Sequence, residues 1–286
     1  MFSVALVFVT LSGLLNAVWN LFAKRSGHPT VFLWSFQWVA VIAFLPWTWV
    51  AVAHHAIPVR GWVFLGVTIT LHGIYVVLLA RTYAAGDLSQ VYPLMRGVSP
   101  LLVPIIGVML LGEQITAIGG LGIVAIVTGI GLLGHWRWRG HPERPGYTSQ
   151  TTGIAMAVGL AITSYTVLDK VTLRYIPAVA LNDASNLANL LALSWGAARS
   201  GVIRTEWIRH WRTIIMGGIL SPGGYLLFLL ALRIAPVAQL APMREIGTVF
   251  GTALGIGVLK ERQGSRRLAA AGLIAAGVMT LGRWGR

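Results

Sequence analysis

Two arginines pose the first chemical question. Arg96 and Arg244 each stand about eight residues inside a long apolar run, and Glu245 directly follows the second. In a helix with a 1.5 Å rise per residue this is roughly 12 Å along the axis. An arginine at that depth in hydrocarbon costs several kcal/mol unless it faces protein or water, so intramembrane charge marks a functional site by default. The pair reads as two cationic anchors for a carboxylate or phosphate on a solute, with Glu245 as counter-ion or proton carrier. A structural Arg–Glu bridge locking the second arginine's span against a neighbour is the competing reading.

Other polar residues recur inside apolar runs. Asn16, Asn20 and Lys24 follow one another at intervals of four and share one helical face. Asn20 and Trp19 are candidates for lining a cavity, Lys24 for an interfacial anchor. Interhelical amide bonding is an equal reading of Asn16 and Asn20. His72, three residues before Tyr75, is of the one side-chain type that titrates near neutral pH, and is a candidate for proton coupling against a hydrogen-bonded structural role. In "LNDASNLANL", Asn182, Asn186 and Asn189 keep helical spacing beside Asp183. Asp183 is a second proton-site candidate, or an acid favoured by the start of its helix. Tyr75, Tyr92, Tyr165 and Gln239 complete the expected binding set. Asp169 abuts Lys170 at a span end and reads as an interfacial ion pair, while Glu113 and Glu261 fall in loops and read as fold residues.

The backbone of these runs is also unusual. "YPLMRGVSPLLVPIIGVMLLGEQIT" carries Pro93, Pro100 and Pro104. Each proline removes a ladder donor, which hydrocarbon tolerates only where protein or water satisfies the freed carbonyl. That span is expected to line the interior. The span of Arg244 has Pro242 and then Gly247, Gly251 and Gly255, a small residue at every fourth place, a pattern that favours tight helix packing over a gate.

The elements that must position these groups follow from composition. Of 286 residues, 56% are hydrophobic and 10% charged, and the mean hydropathy is +0.74, which describes a membrane protein. The net charge of +14 is spread in short clusters between apolar runs, which suits anionic lipid at basic loops rather than nucleic acid. With no cysteine, disulfides, thiolate metal sites and cysteine nucleophiles are excluded. No GxxxxGK[ST], HExxH, GxSxG or TVGYG stretch is present, so ATP-driven pumping, the common membrane hydrolases and a carbonyl-filter channel lose support, and no cofactor or metal is called for.

Ten runs are long enough to cross roughly 30 Å of hydrocarbon: 3–22, 31–53, 61–82, 88–110, 116–134, 152–170, 178–198, 213–232, 237–259 and 267–284. The first, with no basic leader region, reads as a span rather than a signal peptide. Trp34, Trp47, Trp49, Trp62, Trp136, Trp138, Trp207, Trp211 and Trp284 fall near span ends, as an interfacial belt would. A shift of 148 places lays Arg96 on Arg244, Glu113 on Glu261 and Gly129 on Gly277. The chain therefore reads as two five-span copies, 1–134 and 152–286, joined by a basic loop at 135–151. Five is odd, so the second copy enters from the opposite side, an inverted repeat of the secondary-transporter kind with its site near midplane between the copies.

The paired blocks "SPLLVPIIGVMLLGEQIT" and "GTVFGTALGIGVLKERQG", each followed by a glycine-rich closing helix, together with "LNAVWNLFAKRSG", resemble the EamA-type ten-helix members of the drug/metabolite transporter superfamily. The resemblance spans essentially the whole chain. It implies an all-α integral membrane protein, ten helices as two inverted repeats around a central cavity, and export or import of small polar or amphipathic metabolites such as amino acids. We take export by alternating access as the expected activity, in a bacterial inner membrane, with no enzymatic reaction. A non-transporting small-molecule sensor, or an intramembrane enzyme with an unrecognised site, is the competing class. Lys and Arg concentrate in the loops after odd-numbered spans, which by the positive-inside rule places both termini outside; similar family members are usually taken to have both inside, and the sequence leaves orientation open, along with oligomeric state.

Overall fold

The computed structural model describes the backbone of residues 1–85, 88–138, 149–257 and 265–285, and their side chains except at 24–25, 83–94, 133–152 and 255–267. Among the described residues there are eleven helices and no strand. They are α1 (Phe2–Arg25), α2 (Pro29–Ala53), α3 (Val59–Ala85), α4 (Leu88–Leu111), α5 (Ala117–Trp138), α6 (Ser149–Thr172), α7 (Ala178–Arg199), α8 (Ile203–Ile234), α9 (Val237–Met243), α10 (Ile246–Gly257) and α11 (Ser265–Trp284). These are ten spans, the ninth being broken into α9 and α10.

Local chemistry sets the ends. Pro29 opens α2, where its missing N–H would have had no partner. Gly112 and Gly201, both at φ 67°, end α4 and turn the chain from α7 into α8 in the left-handed region that glycine adopts without strain. Helices α1, α2, α3, α6 and α8 are each long and apolar enough to cross a membrane. Their outward faces carry large apolar side chains such as Trp49, Val63, Leu160 and Ile208, a surface suited to lipid and a liability in water.

Helix α1 packs on α8 and α10, α2 on α7 and α8, α3 on α6 and α7, α4 on α5, α6 and α9, α5 on α11, and α10 on α11. Exchanging α1–α5 with α6–α11, so that α9 and α10 answer to α4, carries this set of neighbours onto itself. The central pairs run antiparallel. Trp34 of α2 reaches Ser194 of α7 while Thr48 reaches the carbonyl of Val179; on α5 and α11, Gly119 meets Gly285, Gly122 meets Gly277 and Gly129 meets Ala270. Corresponding helices thus point opposite ways, as inverted repeats require.

The prolines act differently from expectation. α4 runs unbroken through Pro93, Pro100 and Pro104, whereas the ninth span breaks just after Pro242. There the backbone tightens into three-residue turns, Glu245 N–H to the Pro242 carbonyl at 3.0 Å and Gly247 N–H to the Arg244 carbonyl at 3.1 Å. Nor is α4 wholly interior. Met95, Ser99 and Val103 are buried, but Leu101, Ile105 and Val108 on the other face are exposed. Of the small residues, Gly247 packs backbone to backbone on Gly13 of α1, whereas a Cβ at Gly251 would meet nothing within 4 Å; Gly251 is therefore not part of a seam. The indole N–H of Trp34 donates to Ser194 at 3.1 Å and ties α2 to α7. Gly255, Trp136, Trp138 and Glu261 fall outside the described side chains.

Glu113 ties the halves together. Its Oε1 accepts from Val237 N–H at 2.9 Å and its Oε2 from Ala238 N–H at 2.8 Å, capping donors that α9 would otherwise leave empty. Lys170 serves the adjoining helix end, donating to the carbonyls of Leu232 at 2.5 Å and Ala235 at 2.8 Å. Glu113→Ala is expected to cost about 1–3 kcal/mol, the penalty for orphaning buried donors, read as a lower melting temperature in detergent, with Glu113→Gln falling between.

Candidate functional site

The site is built where α1, α3, α4 and α6 converge. A cavity of about 30 Å³ is lined on α1 by Asn16, Trp19 and Asn20, and on α3 and α4 by Tyr75, Leu79, Met95 and Arg96. Val158 and Ile162 of α6 close it. That volume holds a water molecule or two and no metabolite. The Asn20 amide donates to the Asn16 carbonyl of its own helix at 2.7 Å. A larger groove of about 400 Å³ lies along α3 at Trp62, Val67 and Leu71, but its apolar, outward-facing lining offers nothing to orient a polar solute.

The two arginines have different surroundings. Arg96 of α4 reaches across to the helix break, its Nη1 lying 3.6 Å from Oε1 of Glu245, a carboxylate only 4% exposed. Glu245 therefore pairs with the distant arginine and not with Arg244, its neighbour in sequence. Arg244 instead lies over two rings, 5.2 Å from the centroid of Tyr225 and 4.5 Å from that of Phe228, a cation–π arrangement. It is not among the cavity-lining residues, and its buried Nε has no hydrogen-bond partner among the described residues. Both readings of Arg96 hold geometrically: it bridges to the ninth span and it faces the cavity.

Next to this cavity lies a cluster that the sequence reading missed. Asp169 of α6 is 0% exposed and does not pair with Lys170, which is engaged at the end of α8. Its carboxylate accepts from Thr68 Oγ1 of α3 at 2.5 Å and from the hydroxyl of Tyr225 of α8. His72 Nε2 stands 3.2 Å from its Oδ2. Tyr165 stacks on the His72 ring at 4.1 Å and meets Tyr75 edge-on at 5.3 Å, so an aromatic path joins the cluster to the cavity wall. A signal was present in the sequence: Thr68 and His72, like Tyr165 and Asp169, are polar pairs spaced by four in apolar runs, hence shared faces.

This geometry can be set beside known proteins. Residues 151–283 match the EamA-like transporter family. The match covers most of the second half of the chain. No curated protein matches the chain. Among solved structures 28 chains match, and one, described only as a crystal structure of a protein, superposes with a TM-score of 0.77 at 16% identity, covering 97% of this chain and 96% of its own. At that identity the likeness speaks for the fold, which extends over the first half of the chain as well as the second.

Other candidates with described side chains lie apart from the cavity. Gln239 on α9 donates its amide to the Gly285 carbonyl at 2.7 Å. Asp183 is buried in the second turn of α7, and its Oδ1 has no hydrogen-bond partner among the described residues. Asn186 donates to the Asn182 carbonyl at 2.8 Å. Tyr92 and Pro93 lie outside the described side chains.

Proposed function

We propose that the protein is a secondary carrier that exports small polar or amphipathic metabolites, amino acids among them, by alternating access. The observation that carries this reading is Arg96, a guanidinium lining a buried cavity while held by Glu245 at 3.6 Å. That distance is within ion-pair range and beyond a normal hydrogen bond, so a solute carboxylate can take the place of Glu245. Trp19, Asn20, Tyr75 and Tyr165 then surround the rest of the solute. Exchange of the carboxylates frees Glu245 at the joint between α9 and α10, a discontinuity of the sort transporters place at their sites. The units that rock are the two repeats, 1–134 and 152–286. We place the protein in a bacterial inner membrane, its basic loops against anionic headgroups.

The test is reconstitution. Proteoliposomes preloaded with a mixed amino-acid pool should show saturable counterflow of a radiolabelled amino-acid mixture, and the same amino acids should raise the melting temperature of the purified protein, because a ligand of the folded state stabilises it. Binding without flux would identify a sensor, and chemical conversion of the solute an enzyme; either would remove the carrier reading.

A further inference from the structure

The cluster around Asp169 has a charge problem that its surroundings do not solve. Thr68 and Tyr225 supply hydroxyl donors to the carboxyl group, an arrangement that suits a carboxylate acceptor. Its charge partner among the described residues is His72 at 3.2 Å. With the imidazole doubly protonated the pair is neutral. With one proton fewer, a net negative charge sits in a 0% exposed position, which a low-dielectric interior strongly disfavours.

The neighbouring groups do not remove this dependence. On α6, Tyr165 is a neutral ring and Lys170 is turned to the carbonyls of α8. On α3, Tyr75 is neutral and faces the cavity. On α8, Tyr225 already gives its hydroxyl to Asp169, and the Arg244 guanidinium of the ninth span lies over the face of that ring, where its charge eases the anionic form without touching the carboxylate. Arg96 and Glu245 balance each other, and on α7 Asp183 belongs to the first turns of its own helix.

We propose that His72 and Asp169 form the proton-binding site of the carrier, and that one proton crosses for each solute moved the other way. This rests on the carrier reading above. The imidazole takes a proton from water on one side and becomes imidazolium paired with the Asp169 carboxylate. It returns the same proton to water on the other side, and no other bond forms or breaks. The neutral pair favours close packing of α3, α6 and α8; the charged pair favours entry of water. Tyr165 and Tyr75, stacked in sequence from His72 to the cavity wall, connect this change to the solute.

The experiment measures the steady-state accumulation ratio of a radiolabelled amino-acid mixture in proteoliposomes under an imposed pH difference, with the membrane potential clamped at zero, beside counterflow at equal pH. A one-proton exchanger sustains about a tenfold ratio per pH unit, since both represent about 1.4 kcal/mol. The ratio is an equilibrium quantity and does not fall merely because a variant is slow. The wild type should approach it, and Asp169→Asn and His72→Gln should fall to a ratio of one. A wild-type ratio of one while counterflow runs, or wild-type ratios in both variants, overturns the proposal; absence of counterflow in the wild type removes the carrier reading and this proposal with it. Should the variants carry nothing, proton release on adding the amino-acid mixture to the purified proteins in weakly buffered detergent solution decides. The wild type should release about one proton per solute bound, and Asp169→Asn and His72→Gln none; equal release in wild type and variants overturns the proposal.

Discussion

Arg96→Gln is expected to abolish amino-acid counterflow and to destabilise the protein together, and the double variant Arg96→Gln/Glu245→Gln to restore only stability. The single substitution removes the guanidinium from the cavity and strands Glu245, which is 4% exposed. Breaking a buried ion pair from one side costs about 3–5 kcal/mol, because the remaining charge stays desolvated and unmatched. Replacing both partners removes the charges together, so the melting temperature in detergent should return most of the way to wild type. Counterflow should not return, because neither amide offers a cation to a solute carboxylate. A double variant that regained both would reduce Arg96 to a structural bridge.

Gly277→Leu should prevent recovery of folded protein, through the seam between α5 and α11. A Cβ at Gly277 would lie 2.6 Å from the carbonyl oxygen of Gly122 and 3.0 Å from the backbone nitrogen of Ile126. From the opposite helix, a Cβ at Gly122 would lie 2.9 Å from the Gly277 carbonyl oxygen. These obstacles are backbone atoms, so no rotamer change relieves them and the helices must separate. Overfilling a tight core typically costs 1–3 kcal/mol, and a leucine against backbone should exceed about 3 kcal/mol. The comparison is Gly251→Ala, where nothing stands within 4 Å. The second variant should elute from size exclusion as the wild type does, the first as aggregate.

Much of this architecture was legible from residues alone, for reasons that lie in the solvent. Hydrocarbon demands long apolar runs and penalises stray charge, so the spans and Arg96 stand out. The duplicated arginines, however, suggested equal roles, and α4 and α9–α10 place them differently: Arg96 meets a carboxylate and Arg244 meets two rings. The break of the ninth span was hidden because a proline announces a missing donor without saying whether neighbours make up for it. Three prolines leave α4 continuous while the break in the other half follows Pro242. Asp169 was misjudged because Lys170 follows it in sequence. Consecutive residues of a helix point about 100° apart; here one turns to α3 and α8 while the other reaches the carbonyls ending α8. Glu113 was correctly taken as a fold residue, but its partners on α9 lie more than a hundred residues away.

The joint after Met243 exists in one half of the molecule and not in the other. A device built from two matched halves would idle equally on either side of the bilayer, since swapping the halves would turn one resting posture into the other. A single articulated span removes that equivalence. In the proposed carrier the two empty postures need not then be equal in energy, which allows an intrinsic polarity before any gradient is applied.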